Sequence, residues 1–447
     1  MKQDNINRRE FLSRGAKIGA AGIVAPSLLT ACKGSSKKMV PLRAEGEYYV
    51  PELPDKAVDG RELKVGLVGC GGRGTGALNN LLTAADGLTV AALGDVFPDR
   101  IEGTRRSLGD NFGQSVPDEM CFCGFDAYRK VIDSGIDMVI LATPPAFRPE
   151  HFRYAVEKGV HAFLEKPIAV DAKGFRTCMA AAKQAQAKGL SVITGTQRHH
   201  QREYVEAFKL IQKGMIGEIT GGNVYWNQGM LWYRDREKGW SDMEWMIRDW
   251  VNWEWLSGDH IVEQHVHNID VFMWMTGLVP IKATGFGARH RRVTGDQYDM
   301  FSVDFEFGNG IHLHSMCRQI DGTSTNVSET IHGTKGYWTS EDHTIRDLQG
   351  NILWKYEADP QFAQNDPYVL EHVDWVNNIR KGVAHEEATG TAQSTLAGVM
   401  GRESAYTGDT VTWEEMSASE LDLMPANLAI GPMDMSKYIV HKPGKEQ

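Results

Sequence analysis

Gly69-Cys70-Gly71-Gly72-Arg73-Gly74 stands between the apolar run LKVGLVG and the helical pattern TGALNNLLTAA, and this placement constrains the fold more than any other feature of the chain. A G-x-G-x-x-G that closes a buried strand and opens a helix lets backbone amides approach a pyrophosphate, which then sits at the positive end of the helix. Alone the motif is weak. Here Asp95 ends the next predicted strand, LTVAALGD, about twenty residues on, where a carboxylate bonds both hydroxyls of an adenosine ribose. Strand, loop, helix, strand and acid in that order predict a dinucleotide site. Asp95 repels a 2′-phosphate, so NAD is expected; NADP stays open because Arg100 or Arg73 would compensate.

The same alternation continues. FDAYRKVID, FRPEHFRYAVEKG and FRTCMAAAKQAQAKG read as helices, and MVILATPP, HAFLEKP and LSVITGTQ as strands. Strands that are nearly all apolar predict a parallel sheet covered on both faces, an α/β doubly wound Rossmann domain over residues 63–198. Beyond it the pattern changes. EITGGNVYW, PIKATGFGAR, DMFSVDFEF, IHLHSMC, STNVSETIHG, GYWTSE and NILWKYE read as strands, and FEFGNGIHLH carries an Asn-Gly hairpin signal. Residues 199–447 are therefore expected to form an α+β domain with a large, mainly antiparallel sheet. Its helix YVLEHVDWVNNIRKG places Val369, Val373 and Val376 at helical spacing and stops at Gly382.

Ahead of the first strand, Arg8-Arg9 precedes Phe11-Leu12, a short apolar run and Leu29-Thr30-Ala31-Cys32. The run is too short to span a bilayer and contains Gly19, Gly22 and Pro26. It resembles a twin-arginine signal ending in a lipobox, which implies export in the folded state and a periplasmic protein lipid-anchored through Cys32. Residues 1–32 are thus set apart as a signal, and the proline-bearing residues 33–62 as a tether or arm. The other five cysteines, at 70, 121, 123, 178 and 317, form no disulfide framework, as suits a chain that folds before export. A net charge of −10 without clustered Lys and Arg argues against a nucleic-acid partner.

GCGGRG, Asp95, ATPP at 142–145 and above all Glu165-Lys166-Pro167 make the chain resemble the glucose-fructose oxidoreductase and inositol dehydrogenase family, Gfo/Idh/MocA, from Leu63 to about Met416. The resemblance implies that Lys166 lies beside the nicotinamide and the reacting carbinol, that Thr143 and Pro144 line the cofactor, and that Glu165 is near it. The family's second signature is an acid and a histidine four apart, the histidine followed by x-I-D. Glu263 and His267 fit that frame, with glutamate where aspartate is usual. Helical spacing puts Glu263, His267, Asp270 and Trp274 on one stripe, and Val262, Val266, Ile269 and Met273 on an apolar one.

His260 and His265 near that stripe raise the question of a metal. His-x-His on a helix turns its rings about 200° apart, so no metal is expected and both histidines are taken as substrate contacts. Gln197-Arg198-His199-His200 follows the last core strand at the domain junction, which makes Gln197 a cofactor candidate and Arg198 and His199 substrate candidates. Seven tryptophans lie between Trp226 and Trp255. Packing or a subunit interface accounts for most of them, while Trp240 and Trp245 are candidates for stacking on a sugar ring.

The expected activity is an NAD(P)-dependent oxidation of a ring hydroxyl of a sugar or glycoside, with Lys166, His267 and Glu263 at the chemistry. Export argues for a tightly held cofactor restored in each cycle, because no NAD pool exists outside the cytoplasm. The alternative is the oxidation, elimination, hydration and re-reduction of glycoside hydrolase family 109, which the chain resembles in its twin-arginine signal and GGRGTG loop. A sugar-binding lipoprotein without catalysis is the third reading. The second domain's sheet and tryptophans also lead us to expect a dimer or tetramer.

Overall fold

The computed structural model describes residues 40–41 and 48–444, so the signal and Cys32 lie outside the described residues. Six strands form a parallel sheet: β1 Leu63–Val68, β2 Leu88–Asp95, β3 Cys121–Cys123, β4 Met138–Leu141, β5 His161–Leu164 and β6 Val192–Thr194. Their order across the sheet is β3-β2-β1-β4-β5-β6. It reverses between β1 and β4, and dinucleotides bind beyond the strand ends at such a point. Helices Gly72–Ala84, Pro98–Phe112, Arg148–Lys158 and Ala172–Ala187 accompany the sheet.

The second sheet has nine strands: β7 Ile219–Gln228, β8 Lys282–Ala288, β9 Met300–Gly308, β10 Ile311–Gln319, β11 Asn326–Gly333, β12 Gly336–Thr339, β13 Thr344–Asp347, β14 Ile352–Lys355 and β15 Val411–Thr412. They run β14-β13-β12-β11-β7-β10-β9-β8-β15, and only β7 and β10 pair in parallel. The β9–β10 turn uses Asn309 and Gly310 at φ of 50° and 76°, the left-handed conformation that Asn-Gly supplies. The sheet's inward face, including Phe301, Phe305, Leu313 and Ile331, is buried in one core with residues of helices Val266–Thr276 and Ala388–Thr407.

Several elements escape the sequence pattern, helices Arg202–Gln212 and Ala388–Thr407 among them. Helix Pro98–Phe112 buries only Ile101, Thr104 and Leu108, too thin an apolar stripe to stand out among its charges and glycines. Strands β3 and β13 are three and four residues long. The stretch around Glu263 also departs from expectation. It is two helices, His260–Glu263 and Val266–Thr276, separated at Gln264 and His265, and His265 N bonds back to His260 O. Glu263 and His267 therefore do not share one regular helical stripe. The apolar set Val262, Val266, Ile269 and Met273 is fully buried all the same.

Helix Pro367–Lys381 ends at Gly382, φ 67°, as the Gly stop predicts. Its apolar side packs into the core of the parallel sheet. Residues 48–62 run along the same helix: Tyr49 donates to Asp374 at 2.7 Å, and Val58 N to Asn377 Oδ1 at 2.8 Å.

Candidate active site

The glycine loop is shaped by contacts that exclude side chains. A Cβ on Gly74 would stand 1.8 Å from Gly69 O, and Gly69 itself has φ 96° with its missing Cβ 2.6 Å from Ala142 C. Gly71 and Gly72 are bare instead, since a Cβ on either would meet nothing within 4 Å. Cys70 turns its thiol inward, toward Gly94 O, and contributes only backbone. Its N–H donates to Asp95 Oδ2 at 2.7 Å while Phe97 N donates to Oδ1 at 2.9 Å, so the acid also ties the loop to β2. Burial raises the Asp95 pKa, and these amide bonds offset part of the rise. Gly69, Gly71, Gly72, Arg73, Gly74, Asp95, Thr143 and Pro144 line one cavity of about 430 Å³, with Phe97, Arg100 and Phe125 beside them. Bare amides at a helix start and a carboxylate at the end of β2, lining one cavity, fit a dinucleotide.

Arg73 leads from that cavity to the chemistry. Its Nε donates to Glu165, its Nη2 lies 3.6 Å from Glu371 Oε1, and its guanidinium sits 4.6 Å over the Tyr368 ring. Lys166, next in the chain and joined to Pro167 by a cis peptide, donates from Nζ to the Glu263 carbonyl and, at 3.2 Å, to Glu263 Oε1. Both side chains are more than nine-tenths buried. His267 stacks on Trp226 with ring centroids 5.5 Å apart. Burial, then the positive charges of Lys166 and Arg198, hold its pKa well below the ordinary histidine value, so its imidazole is neutral. Of the three residues expected at the chemistry, Lys166 at the end of the first domain's sheet thus bonds Glu263 of the second, and His267, also of the second, lies close enough to feel the Lys166 charge.

Other candidates have different work. Arg198 is committed to Glu329 at 2.6 Å and lies 5.5 Å from the Trp226 ring, so it backs the aromatic partner of His267 rather than meeting substrate. His199 Nε2 is 2.6 Å from Asp270 Oδ2, and its ring stacks on Trp274. Gln197 donates to the Tyr368 hydroxyl at 3.4 Å and does not line the cavity. His260 and His265 are engaged within the second domain. Both are buried in the second domain, His260 Nδ1 3.0 Å from Asp259 Oδ1 and His265 Nε2 2.7 Å from Ser315 Oγ. Trp245 donates to Arg234 O at 2.7 Å and packs edge-on to Trp253; Trp240 lies 5.1 Å from the Arg248 guanidinium, which is bonded to Asp99 beside the β2 end. Neither tryptophan is a sugar platform next to Lys166. Glu371 and Tyr368, which meet Arg73, carry no sequence signal, because only the fold brings their helix to the glycine loop.

The profile described as "Oxidoreductase family, NAD-binding Rossmann fold" matches residues 63–194, and "GFO/IDH/MocA C-terminal domain" matches residues 204–339. The chain is 27% identical over 225 residues to 2,7-anhydro-N-acetylneuraminate hydratase of Mediterraneibacter gnavus, covering 49% of this chain and 56% of that one. It is 26% identical over 218 residues to a glycosyl hydrolase family 109 protein of Streptomyces coelicolor, covering 49% and 44%. The matches thus span about half the length of these curated relatives. Scyllo-inositol dehydrogenase from Lactobacillus casei, solved with NAD(H) and scyllo-inositol, shares the fold at TM-score 0.59 and 20% identity over 78% of this chain and 99% of that one. With both domains matched in order and the glycine loop and Asp95 lining one cavity, the chain belongs to the GFO/IDH/MocA oxidoreductase family and carries that family's NAD-binding Rossmann domain.

Proposed function

We propose that the protein oxidises a ring hydroxyl of a sugar or glycoside, with a cofactor that stays bound and is restored within each cycle. The observation that carries this reading is the bond from Lys166, at the end of the first domain's sheet, to Glu263 of the second domain, with buried His267 close enough to feel the Lys166 charge. A bound nicotinamide supplies the hydride acceptor for a carbinol C–H. The chain's own residues supply the rest. Lys166 Nζ, held by two Glu263 oxygens, is oriented as a hydrogen-bond donor and polarises the substrate oxygen. His267, neutral and fixed against Trp226, takes the hydroxyl proton on a ring nitrogen. Glu263 sets the direction of Lys166, and burial keeps competing water away.

Retention of the cofactor follows from the export reading of residues 1–32, since a folded passenger carries its nucleotide to a place where none can be exchanged. A periplasmic, lipid-anchored location belongs to the same proposal. So does a homo-oligomer, supported by the outward row Phe286, Ser302, Met316 and Tyr225 of the large sheet, with Phe286 72% exposed.

The names of the two curated relatives favour a second reading. Oxidation at C3 acidifies the C2 proton, the C1 substituent leaves by elimination, water adds to the double bond, and the ketone is reduced again. Lys166 and His267 serve that cycle as they serve simple oxidation, so the product is what separates the two. Protein purified without added cofactor is denatured and its nucleotide identified by mass; the intact protein is then given glycosides while nicotinamide absorbance and products are followed. Stoichiometric NAD whose absorbance changes and returns supports a self-contained redox catalyst, with hydrolysed or hydrated product assigning the second reading. Lys166→Ala is expected to abolish turnover while NAD stays bound, and retained turnover would remove Lys166 from the chemistry. Protein that binds sugars with no absorbance change and no product is a binding protein.

A further inference from the structure

The cofactor cavity is walled on one side by residues from outside the Rossmann domain. Trp232, Arg234, Arg248 and Trp250, from the connection that follows β7, line it together with Phe97 and Arg100. That connection has its own internal bracing. Asp249, fully buried, accepts from Arg234 N at 2.7 Å and from Asn252 Nδ2 at 2.8 Å, and Asn252 also donates to Trp232 O at 3.1 Å. Trp245 Nε1 closes the loop on Arg234 O.

One residue latches it to the first domain. Arg248 donates through Nη1 and Nη2 to the two Asp99 oxygens at 3.2 and 3.1 Å, and its guanidinium lies 3.8 Å over the Phe97 ring. Phe97 and Asp99 lie two and four residues past Asp95, at the end of β2 where an adenosine ribose would bind. Arg234 lines the cavity and makes no ion pair among the described residues, an arrangement that suits an anionic pyrophosphate. Trp232 stays 40% exposed at the cavity although its ring meets Trp250 edge-on at 6.2 Å, leaving apolar surface for a planar guest.

We infer that the connection from Gly229 to Asn252 is a clasp closed by the second domain over the adenosine half of NAD. In it Trp232 and Trp250 cover the adenosine, Arg234 faces its phosphates and Arg248 is the latch, and the clasp sets how fast the nucleotide leaves. This deepens the reading of a retained cofactor and rests on it for its biological purpose, but not for its geometry. It also gives the tryptophan-rich segment a function, at the nucleotide rather than at a sugar.

The test follows exchange of the resident nucleotide for a fluorescent etheno-NAD in the wild type, Trp232→Ala, Arg248→Ala and Arg248→Lys. Trp232→Ala and Arg248→Ala are expected to exchange at least about tenfold faster, with Arg248→Lys between them and the wild type because a point charge replaces a bidentate, stacked fork. Trp232 is half-exposed, so its loss leaves folding intact, and far-ultraviolet circular dichroism checks each variant. Exchange within about twofold of wild type in both alanine variants overturns the clasp. A wild type that exchanges freely while both variants exchange faster still removes the retained cofactor and keeps the clasp. A wild type that holds its nucleotide, with both variants equally slow, does the reverse.

Discussion

Gly74 and Gly72 lie two residues apart at the same helix start with opposite surroundings. A methyl on Gly74 would drive into Gly69 O at 1.8 Å, and the backbone there has no slack, because Gly69 is itself pressed against Ala142. Gly74→Ala is therefore expected to destabilise the protein by about 2–4 kcal/mol and to weaken NAD binding, as read by thermal unfolding and calorimetry. Gly72→Ala meets no protein atom, so its methyl enters the cavity. The unliganded melting temperature should hold while NAD affinity falls. Asp296 is a residue of the other kind, paid no attention by the motif but titrating oddly. Burial first, then Glu254, pushes its carboxyl up to about 7 from 3.8. The folded state then binds more protons than the unfolded one between those values, so stability falls as pH rises through that window, by up to about 1.4 kcal/mol per unit. Asp296→Asn can still accept from Glu254 N, the bond Asp296 makes at 2.8 Å. Its melting temperature should match wild type near pH 4, rise above it progressively to pH 7 and keep a constant lead beyond, in unfolding scans across that range. A lead that does not vary with pH would assign the effect to packing.

The short 3₁₀ turn Gln197–His200 is the element that joins the parts of the site. Its side chains reach Tyr368, Glu329, Asp270 and Asp374 in turn, and so touch helix Pro367–Lys381, strand β11 and helix Val266–Thr276 at once. Glu329, fully buried, accepts from Arg198 at 2.6 Å, Asn268 at 2.7 Å and Tyr204 at 3.0 Å. Glu329→Ala leaves the Arg198 guanidinium buried without a counter-charge, which is expected to cost about 3–5 kcal/mol in urea unfolding. Glu329→Gln, which keeps the acceptor oxygen and the volume, should recover part of that loss. None of these pairings is legible in the sequence. The glycine loop, Asp95 and Glu165-Lys166-Pro167 are legible because each depends on local order along one βα unit. Glu263 and His267 are legible as a motif, although the helix break at Gln264 shows that their meeting with Lys166 does not depend on a regular i, i+4 spacing. What stays hidden is long-range: Glu371 against Arg73, Arg248 against Asp99, and the inward turn of His260 and His265, whose partners Asp259 and Ser315 give no pattern in the chain.

Across the whole molecule, the boundary of the nucleotide-binding unit does not follow chain order. The two matched family segments end at residues 194 and 339, yet helix Pro367–Lys381 completes the first core. Val369, Val373, Trp375, Val376 and Ile379 are buried with Leu63, Leu67, Ala77, Leu81, Phe163 and Ile193. Trp375 Nε1 also donates to Ser191 O at 3.3 Å. Just beyond the helix, His385 O accepts from Val192 N at 2.8 Å and Glu387 N donates to Val192 O at 3.0 Å, which covers the open edge of β6. Burying an apolar side chain contributes roughly 1.5–3 kcal/mol, so five of them rival the whole net stability of a typical domain, about 5–15 kcal/mol. A fragment of residues 48–198 is therefore expected to lack a cooperative unfolding transition and to bind no NAD, although it holds every strand of the parallel sheet. The same fragment joined by a flexible linker to residues 366–387 should unfold cooperatively and bind NAD. Circular dichroism melts and calorimetry on the two fragments decide the matter. Equal melts would mean that the helix rests on a core already complete; a transition only in the linked fragment would mean that the chain must pass through its second domain before its first can close.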